Sequence, residues 1–207
     1  IPEFGSIYGY DDVKQEFMAK DPNGDGALPY EKLGRGQVSE LFIATITDSF
    51  EVDKKEMLKG ALEMAIEHGY ERENHKKLQN DPYTTGIQGY DAWIEAFEGG
   101  KVSEFGNAYN SAVVSDARRF AVKFFERMVE LWADNDSILS LSQRATELYR
   151  KVSENLNEIA KLYPFPSGGN PNDSYNTRVT IEYLKKAKQN ELEALKVLEE
   201  MLGVLSE

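Results

Sequence analysis

The sequence predicts an α+β protein that is mainly α: a short β-rich N-terminal segment followed by an antiparallel bundle of about five helices. Three observations carry this. Apolar residues recur at steps of three and four through most of residues 53–205, framed by capping residues. Residues 7–51 lack that period and hold β-branched, aromatic and turn-forming residues instead. The charge is also uneven, with 20 acids against 10 bases in residues 1–100 and 16 against 14 in residues 101–207. The expected organisation is a scar at 1–6, a β-rich segment at 7–51 and a helical domain at 52–207.

The first six residues, Ile1-Pro2-Glu3-Phe4-Gly5-Ser6, read as a cloning scar, because Glu-Phe and Gly-Ser are what two common restriction sites encode. The abrupt start at Ile7-Tyr8-Gly9-Tyr10 reads as a cut from a longer protein. Glu16–Lys20 is a short strand candidate. Asp21-Pro22-Asn23-Gly24-Asp25-Gly26 is dense turn chemistry. Leu41–Thr47, β-branched and aromatic, reads as the best strand of the chain.

Five helices are expected next. Asp53 and Glu56 make a capping box for the first, with Leu58, Ala61, Leu62 and Ala65 as its stripe and Gly69 as its stop. The second follows Thr84-Thr85-Gly86 and turns Ile87, Tyr90, Ile94 and Phe97 inward. The third runs from about Asn107 to Trp132, with Tyr109, Val113, Ala117, Phe120, Phe124, Met128 and Trp132 expected inward. The fourth, capped by Asp136 or Ser137, carries Ile138, Leu141, Ala145, Leu148, Val152, Asn155, Ile159 and Leu162, a heptad seam with one polar interruption. Residues 164–176, rich in Pro, Gly and Asn, are a loop. The fifth runs from about Thr177 to Leu205, with Ile181, Leu184, Ala187, Leu195, Leu198 and Leu202 inward.

Composition removes several functions. The 207 residues contain no Cys, so thiolate zinc sites, disulfide scaffolds and a cysteine nucleophile within this sequence are excluded. A net charge of −12 argues against a nucleic-acid surface, which needs clustered Lys and Arg. No apolar run approaches the roughly 20 residues that span a bilayer. No Gly-rich phosphate loop and no Gly-x-Ser-x-Gly elbow occurs. His68 and His75 lie either side of a helix stop and read as surface residues, so no metal and no cofactor are expected.

Residues 21–32 place oxygen-bearing side chains at loop positions 1, 3 and 5 and Gly26 at position 6, as an EF-hand does. Position 12 is Lys32, where a bidentate Glu is needed, and Pro29 disturbs the incoming helix. A tight turn between strands is the better reading, with a calcium-responsive module as a third choice.

Tyr8-Gly9-Tyr10-Asp11-Asp12, followed by Phe17-Met18-Ala19-Lys20-Asp21-Pro22, resembles the second half of a papain-like domain, as in bacteriocin-processing cysteine peptidases and butirosin-biosynthesis acyltransferases. In those families a His opens a strand that ends in a Gly-Tyr-Asp-like turn, and the next strand ends in Asp-Pro, whose Asp orients the His. The resemblance implies that Asp21 is the remnant of that orienting acid. The His and Cys that would complete a triad are not in this sequence. Residues 85–94, 106–110 and 116–121 resemble the helical appendage of butirosin-acyltransferase-like proteins, which implies a fold more than an activity.

On physical grounds the expected ligand site is Tyr90, Trp93, Asn107, Tyr109, Asn110, Asp116 and Arg119, which put aromatic faces, amides and a charge pair near one helix start. Asp116 is expected close to the inward face, partnered by Arg119 or Arg118. The alternative is a structural ion pair with Asn107 as helix cap. Two functions follow. One is a non-catalytic fragment or homologue of the papain-like family, its helices shaping a cleft for a peptide, acyl or amine substrate and leaving an exposed apolar patch or a dimer. The other is a stand-alone ligand-binding or regulatory module with a closed pocket lined by Tyr90, Trp93 and Tyr109. A small-molecule or peptide ligand, a homo-oligomer and a cytoplasmic location are expected, without nucleic acid or membrane.

Overall fold

The computed structural model describes residues 5–21, 24–34, 42–71 and 84–206. Expectations at residues 1–4, at Pro22, Asn23 and Leu41, and at His75 lie outside them. The chain forms two compact units, residues 1–51 and 52–207.

The first unit contains a three-stranded antiparallel sheet in the order β1 (Ser6–Asp11), β2 (Glu16–Asp21), β3 (Gly24–Pro29). Each strand is joined to the next by a local hairpin. Asp11 builds the first turn, its Oδ1 accepting from the Val13 and Lys14 amides at 3.0 and 3.1 Å. Those bonds hold its carboxyl below the usual carboxylate range. In the second hairpin Asp21 pairs opposite Gly24 and accepts its amide through Oδ1 at 3.1 Å. Tyr30, just past β3, lays its ring on Phe17 with 4.4 Å between centroids and donates to Asp12 Oδ1 at 2.8 Å.

The strand expected at 41–47 is absent from the described residues. Residues 42–50 have no regular structure, and Phe42, Ile43, Ile46 and Phe50 are exposed. β-propensity describes fit to a pleated, half-buried surface. The segment joins none of the three described strands, and Ile43 and Ile46 lie exposed, so propensity without pairing does not make a strand here.

Among its described residues, the regular structure of the second unit is helical: α1 (Lys54–Gly69), α2 (Gly86–Glu98), α3 (Glu104–Leu131), α4 (Asp136–Leu162) and α5 (Ser174–Ser206). Local chemistry fixes the starts. Asp53 accepts from the Lys55 and Glu56 amides, Ser103 from Gly106, Asn135 from Ile138, and Asp173 from Tyr175 and Asn176.

Five helices fill four positions of an up-down-up-down bundle, because α1 and α2 together occupy one. Leu58, Leu62 and Ile66 of α1 pack with Leu195, Leu198 and Leu205 of α5. Tyr90, Ile94 and Phe97 of α2 pack with Leu184 and Ala187, further back along α5. The two short helices therefore run in succession antiparallel to α5. Their ends abut: a Cβ on Gly86, whose φ is +57°, would fall 2.5 Å from the carbonyl oxygens of both His68 and Gly69. Only glycine fits that join. The Thr85 amide also donates to Glu71 Oε1 at 2.9 Å across it. Among the described residues, no helix is long and apolar enough to cross a membrane.

The largest correction concerns α3. Tyr109, Val113, Ala117, Phe120 and Phe124, expected inward, are exposed. The buried side is Asn107, Ala108, Ser111, Phe125 and Met128, with Val114, Arg118, Ala121 and Val122 partly buried beside them. Both faces are apolar at helical spacing, so the period alone does not choose between them. Packing chooses the face with small residues at Ala108 and Ser111, which lets α3 approach its neighbours closely.

Candidate functional site

The middle of the bundle holds a charge cluster. Each side chain comes from a different helix. Glu191 of α5 occupies the place in the series Leu184, Ala187, Leu195, Leu198 where an apolar residue is expected, and it is buried. Its Oε1 lies 2.6 Å from an Arg118 terminal nitrogen, and its Oε2 accepts from Arg118 Nε at 3.0 Å, a two-pronged pair from α3. Tyr90 of α2 donates its hydroxyl to the same Oε2 at 2.6 Å. Tyr149 of α4 is buried beside them and stacks on Phe125 at 5.5 Å.

Burial opposes the Arg118 charge, but the Glu191 carboxylate outweighs it and holds the guanidinium above its ordinary pKa. Burial pushes the Tyr90 and Tyr149 phenols up, and the Glu191 charge adds to that. Both carboxylate oxygens are engaged by internal donors. The cluster is therefore a satisfied polar layer that fixes how α2, α3 and α5 register.

The expected ligand residues divide. Tyr90 is in the core, bound to Glu191. Trp93, partly buried, donates its indole N–H to Asn107 Oδ1 at 2.9 Å. Asn107 is buried inside the first turns of α3, its Nδ2 without a partner among the described residues. Ser103, not Asn107, caps the helix. Tyr109 and Asn110 are exposed, and Tyr109 sits edge-on to Phe165 at 5.7 Å. Asp116 is exposed, not near the inward face, and pairs with Arg119 on the surface. Arg118 has the buried partner instead. Tyr90, Trp93 and Tyr109 thus do not line one closed pocket: the first two are in packed or bonded positions and the third faces outward.

Asp21 serves its own hairpin through the Gly24 amide. Residues 24–29 are the strand β3, and Asp25 accepts from the Tyr8 hydroxyl, so the loop an EF-hand requires is not formed by them. Among the described residues no group of three His, Cys, Asp or Glu could hold a metal.

The sequence reading missed Glu191 and named Arg118 only as a possible partner of Asp116. The signal was present: a lone acid interrupting an apolar series in α5, and a lone base on the less hydrophobic side of α3. It also missed the surface that the reversal of α3 creates. Phe105, Tyr109, Val113, Phe120, Phe124 and Leu131 are exposed along one side of the helix, and Phe165 extends that strip, 5.4 Å from Phe105. Open grooves elsewhere have charged walls; one of about 600 Å³ between α4 and α5 is lined by Arg144, Glu147, Glu193, Lys196 and Glu200.

No family model, no curated protein and no solved structure matches this chain.

Proposed function

We propose that this chain is a non-catalytic binding module, in which the bundle is a scaffold and the outer face of α3, with Phe165, takes an apolar protein or peptide segment. One observation supports this most: five aromatic side chains on that strip (Phe105, Tyr109, Phe120, Phe124, Phe165) each leave between 37% and 53% of their surface in water. Aromatic side chains carry roughly 150–250 Å² each, so the strip exposes on the order of 500 Å². That is the upper end of the largest patch on an ordinary monomer, where such patches mark interaction sites. Charged side chains stand among these rings, with Arg119 and Lys123 lying against Phe120, so the strip is aromatic with a polar border, as interaction surfaces are. The absence of Cys from the sequence and the satisfied state of Glu191 both favour binding over chemistry.

The papain-like resemblance gives this reading a context. The support for it is limited to a hairpin whose first strand ends in Gly9-Tyr10-Asp11 and whose second ends in Asp21. In that setting the helices are one wall of a cleft for a peptide, acyl or amine substrate, and the protein works in the cytoplasm without membrane or nucleic acid.

The test is binding of an anilinonaphthalene dye to the folded chain. The unaltered protein, dilute enough to be monomeric, should enhance dye fluorescence while melting cooperatively. Phe120→Glu with Phe124→Glu should remove most of the enhancement and keep the helical circular dichroism. No enhancement from the unaltered protein, or loss of the fold in the double variant, contradicts the proposal.

A further inference from the structure

We infer that the occupant of the α3 outer face is a second copy of this chain, docked antiparallel across a two-fold axis near Ala117; the inference rests on the reading of that face as the working surface. The positions on the face are close to symmetric about residue 118. Phe105 and Leu131 are equidistant from it, Tyr109 and Arg127 likewise, Asp116 and Phe120 likewise, and Val113 lies opposite Phe124 within one residue. Rotation by two-fold symmetry therefore sets Phe105 of one copy against Leu131 of the other. It sets the Tyr109 ring against the second copy's Arg127, a cation–π pairing, and Val113 against the second copy's Phe124. Ala117, the smallest exposed side chain of the series, falls at the crossing, where two helices need to come closest.

Charge favours the same partner and the same direction. The chain carries −12, yet residues 104–131 hold four acids (Glu104, Asp116, Glu126, Glu130) against three bases that face outward (Arg119, Lys123, Arg127), Arg118 being paired with Glu191 inside the bundle, so the outward charge of this helix is close to balanced. A copy as acidic as this one meets least repulsion at a nearly neutral helix, and repulsion between the remaining surfaces is screened beyond about 8–10 Å at physiological salt. Asp116 and Arg119 already pair beside the axis, and the antiparallel arrangement brings the second copy's pair alongside with signs alternating. It also opposes the two helix dipoles, which a parallel pairing would align. The exposed strip, on the order of 500 Å² of aromatic surface before Val113, Ala117 and Leu131 are added, approaches the roughly 800 Å² per partner of a standard interface.

The absence of native Cys makes engineered cysteines a clean reporter. The full chain should sediment as a dimer that dissociates on dilution, and Phe120→Glu should make it a monomer that melts where the diluted, monomeric unaltered chain melts. Ala117→Cys should cross-link to itself under mild oxidation. Phe105→Cys should not, since its two copies would lie roughly 39 Å apart along the helices at 1.5 Å per residue, but a mixture of Phe105→Cys and Leu131→Cys chains should form the mixed product. A monomer at every concentration that still binds the dye overturns the second copy and leaves the binding face standing. A monomer that binds no dye overturns both. A dimer that survives Phe120→Glu, or self-cross-linking at Phe105→Cys, overturns the antiparallel assignment.

Discussion

The two faces of α3 are nearly equal in apolar content and opposite in role. The inner face carries Ala108, Ser111, Arg118, Phe125 and Met128, and it joins the bundle through small residues and one buried ion pair. The outer face carries Phe105, Tyr109, Val113, Phe120 and Phe124, and it is the more aromatic of the two. Hydrophobicity therefore does not decide which side of a helix faces its own core. Close packing does, and it rewards shape and complementary polar partners as well as apolar area. The side with the larger rings is left for something outside the fold.

The strongest way to break this comparison is to unpair the inner face. Glu191→Ala leaves the Arg118 guanidinium, 23% exposed, without its carboxylate, and removing one member of a fully buried pair costs about 3–5 kcal/mol, which sets the upper end here. Denaturant unfolding should show a loss up to that size. Replacing both members together, Arg118→Met with Glu191→Leu, should restore most of it, because the unpaired charge is gone. A double variant as unstable as the single one would mean that the pair itself, not the stranded charge, is what stabilises the bundle.

A smaller effect should appear at high pH. Tyr90 and Tyr149 hold their protons above the ordinary value of 10.0 in the folded chain, through burial first and the Glu191 charge second. A pKa raised in the folded state means stability that is complete below the unfolded value and declines as pH rises past about 10 through the folded values. Helical circular dichroism followed with tyrosinate absorbance should show these two phenols ionising only as the bundle unfolds. Tyr149→Phe should move the alkaline midpoint upward. An unmoved midpoint would mean that the phenol is not held protonated by the fold.

Much of the bundle was legible in the sequence. Asp53 as cap, Gly69 as stop, and Ile87, Tyr90, Ile94 and Phe97 as the α2 stripe are local signals, and they are where those signals point, with Ile87 only partly buried. The α4 seam is right but narrow, since Ser142, Thr146, Tyr149 and Leu156 are buried beside it. Joining α1 and α2 into one bundle position depends on a contact between Gly86 and the end of α1, which no local pattern encodes. The strand expected at 41–47 is paired with none of the described strands, and propensity alone does not supply that pairing. The site was less legible, because Asp116 and Arg118 are two residues apart and on different sides of the helix. Period alone does not say which of them meets Glu191, 73 residues from Arg118.

The smallest expected effect, at Phe120, belongs to the most direct test of the central claim, that one face of α3 carries the fold and the other carries a partner. Phe125→Ala and Phe120→Ala remove the same ring from opposite sides. In denaturant melts at the lowest workable protein concentration, Phe125→Ala should cost about 3–5 kcal/mol, whereas Phe120→Ala should stay within about 0.5 kcal/mol of the unaltered chain. Equal losses would mean that the outer ring is packed within the chain's own core, and would contradict the account.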